Sequence, residues 1–138
     1  MSPAPGSFER VRFLDEARED LRALAARSPV VLREVFKLLK GLDGGTVTPS
    51  ALHDFHKTGD LTDCGKLVVA VDGEPEHRIV IRSLQGRFEV CEVVAVEDRS
   101  QDLPYLLAGL RLGRINDPVR RSDAQRRIHR VRKLLERD

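Results

Sequence analysis

The sequence predicts a single α+β domain, and two patterns support this prediction. Three runs rich in valine and isoleucine, at residues 66–72, 77–84 and 87–98, are typical of β-strands. Before them, apolar residues within residues 15–45 recur at the spacing that gives a helix one apolar face. We therefore expect a small antiparallel-rich sheet packed on an N-terminal helical hairpin.

A short first strand is expected to precede the hairpin. Residues 8–13 alternate apolar and charged side chains, as a strand with one buried face does. Asp15 is expected to cap the first helix, which extends to about residue 27, because a carboxylate is favourable at a helix N-terminus. Ser28 and Pro29 are a capping residue and a first-turn proline, so they predict the start of the second helix.

Turn residues divide the rest of the chain. Glycine and proline within residues 72–75, and glycine within residues 85–86, favour tight turns, which predicts an antiparallel meander of the three main strands. Upstream of them, residues 52–57 are expected to form a short helical turn. Downstream, residues 102–112 form a leucine-rich helical pattern able to cover the sheet, and a basic helix is expected beyond Pro118.

Composition indicates one globular domain with a basic extension. The chain has 138 residues, 41% hydrophobic and 33% charged, which is enough for one core. Residues 1–113 carry a net charge of −3 and are interpreted as the domain, whereas residues 114–138 carry +5 and are interpreted as a helical extension, either solvated or in contact with RNA. No apolar run reaches the roughly 18 residues of a membrane span, and MSPAPGSFER lacks an apolar signal core. We expect a cytoplasmic protein without a membrane partner.

The second main strand carries isolated basic residues on one face. Because side chains alternate along a strand, Arg78, Val80 and Arg82 share one face, while Ile79 and Ile81 share the other. The pattern predicts a core on the isoleucine face and a cationic surface on the arginine face.

Further polar residues lie near the ends of the neighbouring strands. Lys66 heads the first main strand, and Arg99 and the single tyrosine, Tyr105, follow the last. Cationic groups and a proton acceptor are what the cleavage of a phosphodiester requires. His77 could titrate near neutral pH and assist proton transfer, or simply fill an edge position.

These segments also carry a family resemblance. The sequence GDLTDCGKLVVAV, followed by HRIVIR, by FEVCEVVAVEDR and by Tyr105 six residues after Arg99, resembles the RelE/ParE superfamily of bacterial toxin-antitoxin modules over residues 8–113. The RelE branch implies a toxin that cleaves messenger RNA, typically at the ribosome, by attack of the ribose 2′-hydroxyl. It implies no metal or cofactor, and a cognate antitoxin as partner.

The resemblance implies a role for each site residue. Lys66 would be a base or charge stabiliser, Arg78 and Arg99 would clamp the phosphate, and Tyr105 would stack on a base or position the substrate. Arg82, on the face of Arg78, and His77 would contribute to substrate binding.

Two alternatives remain open. The ParE branch is associated with inhibition of DNA gyrase, and a degenerate relative would only bind a partner. Some family members carry a second basic residue where this chain has Val68, and Glu97 and Asp98 stand directly before Arg99, where carboxylates would repel phosphate or occupy the guanidinium. Exposed arginines at strand ends also commonly serve solubility alone.

Neither histidine nor cysteine spacing predicts a metal site. His53, His56 and Cys64 fit no structural zinc pattern, since no fourth ligand is clear. Cys91 lies inside a strand pattern and is expected to be a buried thiol, not half of a disulfide.

Overall fold

A computed structural model describes residues 8–136. The N-terminal stretch in which no signal core was found lies largely outside these residues. The fold is α+β, as predicted, and contains a mixed five-stranded sheet. Its elements in chain order are β1 (Val11–Phe13), α1 (Asp15–Arg27), α2 (Pro29–Asp43), β2 (Ser50–Ala51), β3 (Asp54–Phe55), β4 (Gly59–Asp60), β5 (Cys64–Val69), β6 (His77–Gln85), β7 (Val90–Asp98), α3 (Leu103–Arg111) and α4 (Pro118–Glu136).

The main sheet has the strand order β1-β7-β6-β5-β2. Strands β5, β6 and β7 form the predicted antiparallel meander, and β2 adds a short antiparallel edge. Strand β1 pairs with β7 in parallel, so the first and the last strand of the chain lie side by side at one edge of the sheet.

The helical turn predicted at residues 52–57 is absent, and the chain there forms a separate hairpin of β3 and β4. Its turn is closed by the Thr58 N–H, which donates to the Phe55 carbonyl at 3.2 Å. Gly59 follows with φ +80°, and a Cβ there would lie 2.1 Å from the Arg114 carbonyl oxygen. The hairpin therefore depends on a backbone conformation and a close approach that favour glycine.

Helices α1 and α2 cover one face of the sheet, as the predicted hairpin requires. Ile79 and Ile81 of β6 are fully buried on this face among apolar residues of both helices. The Ser28 hydroxyl accepts a hydrogen bond from the Val31 N–H, which confirms it as the cap of α2. The prediction that Asp15 caps α1 is wrong, because Leu14 holds that position and Asp15 lies in the first turn.

The other face of the sheet is not the open cationic surface that the alternation predicts. Val80, Val94 and Ala95 at its centre are completely buried, because α3 and α4 pack over them. The leucines of α3 supply most of this cover, and α4 adds Ile128 and Val131. Polar groups are thereby confined to the rim of this face, where Arg78 and Arg82 are partly exposed.

A buried ion pair completes the edge of β7. Strand β1 ends opposite Val93, so the next part of β7 lacks a neighbouring strand on that side. Asp20 of α1 accepts the Val96 N–H at 2.9 Å, and Arg111 of α3 donates to the Val94 carbonyl at 2.9 Å. The two side chains also pair with each other, at 2.6 Å and 2.9 Å. Side chains thus satisfy the backbone groups that a longer β1 would have paired.

Within the described residues, no helix combines the length and apolar character needed to cross a membrane.

Candidate active site

Two of the predicted site arginines converge on a carboxylate that the sequence analysis did not single out. Glu76 directly precedes β6, and the Arg78 guanidinium donates a hydrogen bond to its Oε2. The Arg99 Nε lies 3.8 Å from the same oxygen, and the Arg99 N–H donates to the Glu76 carbonyl at 3.1 Å. The pairing of β6 with β7 brings together the start of one strand and the end of the other, and Glu76 contacts the arginines of both.

A signal for Glu76 does exist in the sequence. Residues two apart on a strand share a face, so Glu76 extends the row of Arg78, Val80 and Arg82 by one position. The sequence does not show that the end of β7 lies beside Glu76, because this depends on the register of β6 against β7.

Tyr105 stands beside this cluster in the first turns of α3 and is half-buried. Burial raises the pKa of its phenol, and the negative charges of Asp102 and Glu76 act in the same direction, against the opposing charges of Arg78 and Arg99. The phenol is therefore protonated at neutral pH and able to donate a hydrogen bond.

Lys66 lies on the same face of the sheet as Arg78. It pairs with Val80 across β5 and β6, which makes Arg78 its diagonal neighbour, with Cβ atoms about 7–8 Å apart in such an arrangement. Among residues 8–136, Lys66 takes part in no ion pair. The register places Lys66 on the arginine face, but no hydrogen bond or ion pair among the described residues links it to Arg99 or Tyr105.

Arg82 is held away from this cluster. Its guanidinium donates to Glu92 Oε1 at 2.6 Å across β6 and β7. Lys66 has Arg82 as its second diagonal neighbour, so the register still places three basic residues on one face. The Glu92 pair neutralises much of the charge that Arg82 would offer to a phosphate.

His77 is buried, with 3% of its surface exposed. Its Nδ1 lies 2.8 Å from the Pro75 carbonyl oxygen, which places the ring proton on that nitrogen and leaves Nε2 as a buried acceptor without a partner among the described residues. Burial lowers the pKa of the imidazole, against the hydrogen bond to Pro75 and the charge of Asp98. This location suits the alternative of a structural histidine better than contact with a substrate.

The two carboxylates before Arg99 do not occupy its guanidinium. Glu97 is buried and lies 3.7 Å from Arg132 of α4. Burial, followed by the charge of Asp20, raises the pKa of Glu97. Asp98 accepts the Ser100 N–H at 2.8 Å. The carboxylate that competes for Arg99 is therefore Glu76.

The described residues contain no group of three or more histidine, cysteine or carboxylate side chains placed to hold a metal ion. Both Cys64 and Cys91 are buried and unpaired with one another, as expected for Cys91. Burial raises the pKa of the Cys64 thiol to about 12 and that of Cys91 to about 11.

Comparison of the chain with protein-family models, with curated proteins and with solved structures finds no match. The chemistry of the cluster around Glu76 is therefore the basis for assigning a function.

Proposed function

We propose that the protein is a RelE-like toxin that cleaves messenger RNA by attack of the ribose 2′-hydroxyl, and that an antitoxin normally restrains it. One observation carries the proposal: Arg78 and Arg99 meet at Glu76 on a partly exposed rim of the sheet, near enough to Tyr105 for their charges to influence the pKa of its phenol. The resemblance of residues 8–113 to the RelE branch, and the order of a strand, two helices, a strand meander and a helix, support it.

The residue types around Glu76 match the needs of this reaction. Two guanidinium groups can stabilise the charge that develops on the phosphate oxygens, since each offers paired hydrogen bonds. A carboxylate can accept the proton of the 2′-hydroxyl, a role for which Lys66 is the second candidate. The protonated phenol of Tyr105 can donate to the leaving 5′-oxygen or hold the adjacent nucleotide.

Substrate binding must rearrange the ion pair at Arg78. In the absence of RNA, its side chain is only 12% exposed and is engaged by Glu76, whereas the Arg99 side chain is 61% exposed. Arg99 is therefore the first contact for an arriving phosphate. As the phosphate takes up both arginines, the Glu76 carboxylate is released beside it, where a proton acceptor is needed.

Replacement of Arg99 by alanine is expected to lower the cleavage rate by about 10²- to 10³-fold, the usual loss when one contact to a transition-state oxyanion is removed. Folding stability should change by no more than about 0.5 kcal/mol, because the side chain is largely exposed. The assay is cleavage of messenger RNA in a translating extract, with isolated RNA and a chelator as a second arm. Fragments should end in a 2′,3′-cyclic phosphate and a 5′-hydroxyl.

Arg87→Ala provides the matched control. Arg87 is an exposed arginine just before β7, at the opposite end of that strand from Arg99. Glu76→Gln and Tyr105→Phe should also slow cleavage, whereas Arg87→Ala should not. Equal activity of Arg99→Ala and Arg87→Ala would reject this active site.

One observation favours the alternative of a non-enzymatic, partner-binding relative. Arg78 and Arg82 are both engaged by carboxylates, Glu76 and Glu92, which reduces the charge available to a phosphate. If the wild type cleaves RNA in neither arm while remaining folded, this alternative is preferred. Binding of DNA gyrase would then be tested directly with the purified enzyme.

A further inference from the structure

A second cationic site lies between the β3–β4 turn, α3 and α4. A cavity of about 190 Å³ opens there, floored by Leu106 and Ala124. His56 and Lys57 of the turn line one side, and Arg120 and Arg127 of α4 line the other. Pockets for drug-sized ligands typically measure about 300–1,000 Å³, so this one suits a small group.

The charges around this cavity are mostly uncompensated. Asp123 is its only carboxylate lining residue among the described part of the chain, and it is hydrogen-bonded to Arg126. Within residues 8–136, the side chains of Arg120 and Arg127 make no hydrogen bond or ion pair. Lys57 lies 3.9 Å from Asp102, and both of these side chains are more than half exposed. The cavity is therefore lined by at least two available guanidinium groups and a weakly paired ammonium group.

The walls of the cavity are held in place before any ligand arrives. A Cβ on Gly109 of α3 would lie 2.2 Å from the Thr58 carbonyl oxygen, so the turn packs directly on the helix backbone. Arg114 then ties the segment after α3 to Asp63, at 2.7 Å and 2.9 Å, and to the Asp60 carbonyl at 2.7 Å. The backbone that carries His56 and Lys57 therefore needs little ordering when a ligand binds, which favours binding.

We propose that this cavity binds a phosphate group, and that the phosphate belongs to the RNA strand whose cleavage is proposed above. Arg120 and Arg127 are seven residues apart, so they stand on one face of α4 about 10.5 Å apart along its axis and can approach an anion from two sides. Guanidinium and ammonium groups together are the usual partners of phosphate.

The position of the cavity connects it with the active site. Leu106, which floors it, directly follows Tyr105, and Asp102, which pairs with Lys57, lies three residues after Arg99. A strand whose scissile phosphate meets Arg99 can therefore continue around the start of α3 to the cavity. The RNA source of the phosphate rests on the proposed function, whereas the anion site itself does not.

The test measures binding and not cleavage, so that the two proposals fail separately. Backbone amide chemical shifts are followed by NMR while sodium phosphate is added at constant ionic strength. In a parallel experiment, the probe is a single-stranded 2′-O-methyl RNA, which has no 2′-hydroxyl to react. We expect shifts at residues 56–58 and 120–127 with both probes. The double variant Arg120→Gln/Arg127→Gln should weaken the binding of both probes by about tenfold or more, because charge-assisted hydrogen bonds are lost.

Two further variants keep the result interpretable. Arg130→Gln, an exposed arginine on α4 that does not line the cavity, should leave both affinities nearly unchanged. Lys57→Gln should weaken the binding of both probes without altering α4, and it serves in case the double variant perturbs that helix.

The anion site would be overturned if Arg130→Gln lost as much affinity as the double variant, or if no shifts occurred at these amides. Phosphate binding that depends on Arg120 and Arg127 while RNA binding does not would overturn the RNA source. A strand that binds here but is never cleaved in its unmodified form would overturn only the proposed function.

Discussion

His77 shows how one buried residue can make stability depend on pH. Its imidazole is enclosed between the end of the β5–β6 turn and the sheet, with one ring nitrogen bonded to Pro75 and the other unpaired. Burial lowers the folded-state pKa of the ring below the ordinary value of 6.5, so the unfolded chain takes up the proton first as the pH falls.

The stability that the neutral His77 ring provides is therefore fully present above about pH 6.5. It is lost as the pH falls through the lowered folded-state pKa. For one group the slope cannot exceed about 1.4 kcal/mol per pH unit. We expect His77→Gln to flatten the dependence of the free energy of unfolding on pH between 7 and 5, as measured by urea denaturation. His129→Gln, at an exposed position on α4, is the control and should leave the slope as it is. An identical slope in His77→Gln and wild type would contradict this assignment.

The limits of prediction from sequence are clearest for single residues. Alternation along β6 correctly separates Ile79 and Ile81 from Val80, because it depends only on local backbone geometry. The ion pairs of Arg78 and Arg82 depend on which residues of other segments lie beside them. Glu76 lies near Arg78 in sequence, but only the register of β6 against β7 places the end of β7 beside it and brings Glu92 opposite Arg82.

Among the elements, the edge of β7 depends most on a single ion pair. The Asp20 side chain is 3% exposed, and it accepts hydrogen bonds from both the Val96 N–H and the Arg111 guanidinium. Removing one partner of a buried pair leaves an uncompensated charge, which typically costs about 3–5 kcal/mol. Asp20→Ala should lower the free energy of unfolding by about that amount in urea denaturation.

Glu19→Ala is the matched control for this prediction. Glu19 is a carboxylate of the same helix whose partner, Arg22, is also exposed, so its loss should change stability by no more than about 0.5 kcal/mol. Similar effects for the two variants would show that the pair at the β7 edge has no special role.

The helices and the strands of three or more residues could be predicted from sequence, whereas the two-residue strands could not. Helices α1 and α2 and the three meander strands each repeat one spacing over several residues, which makes their pattern visible. Strands β3 and β4 have two residues each, and their hairpin depends on close packing of Gly59 and Gly109 against distant backbone. The parallel pairing of β1 likewise leaves no local trace.

At the scale of the whole molecule, α4 contributes to the same apolar cluster as α3. The positive charge and the apolar stripe of residues 114–138 predict a helix that either packs lightly on the domain or projects to meet RNA or a partner. Ile115, Ala124, Ile128 and Val131 are nevertheless buried. The spacing of apolar residues makes this stripe visible in the sequence, but the helix against which it packs depends on the fold.

Truncation after Gly113 should therefore lower the midpoint of urea unfolding. Burial of an aliphatic side chain contributes about 1.5–3 kcal/mol, and several such side chains would be lost. The cluster beneath α1 and α2 should persist, so a cooperative transition is expected to remain. An unchanged midpoint would instead support a separable extension.

Two substitutions within α4 separate the effect of burial from that of chain length. Ile128→Ala should cost about 2–5 kcal/mol, because the side chain is buried in the cluster. Leu134→Ala, at a position 47% exposed, should cost far less.

The parallel pairing of β1 with β7 has a consequence for synthesis of the chain on the ribosome. Val11 pairs with Cys91, so the first strand leaves the ribosome 80 residues ahead of its partner. At about 5 to 20 residues per second, it waits roughly 4 to 16 s. During this interval α1 and α2 can form, but the apolar residues of β1 have no sheet to join. The apolar residues of β1 therefore remain accessible to a chaperone until β7 has been synthesised and can pair with them.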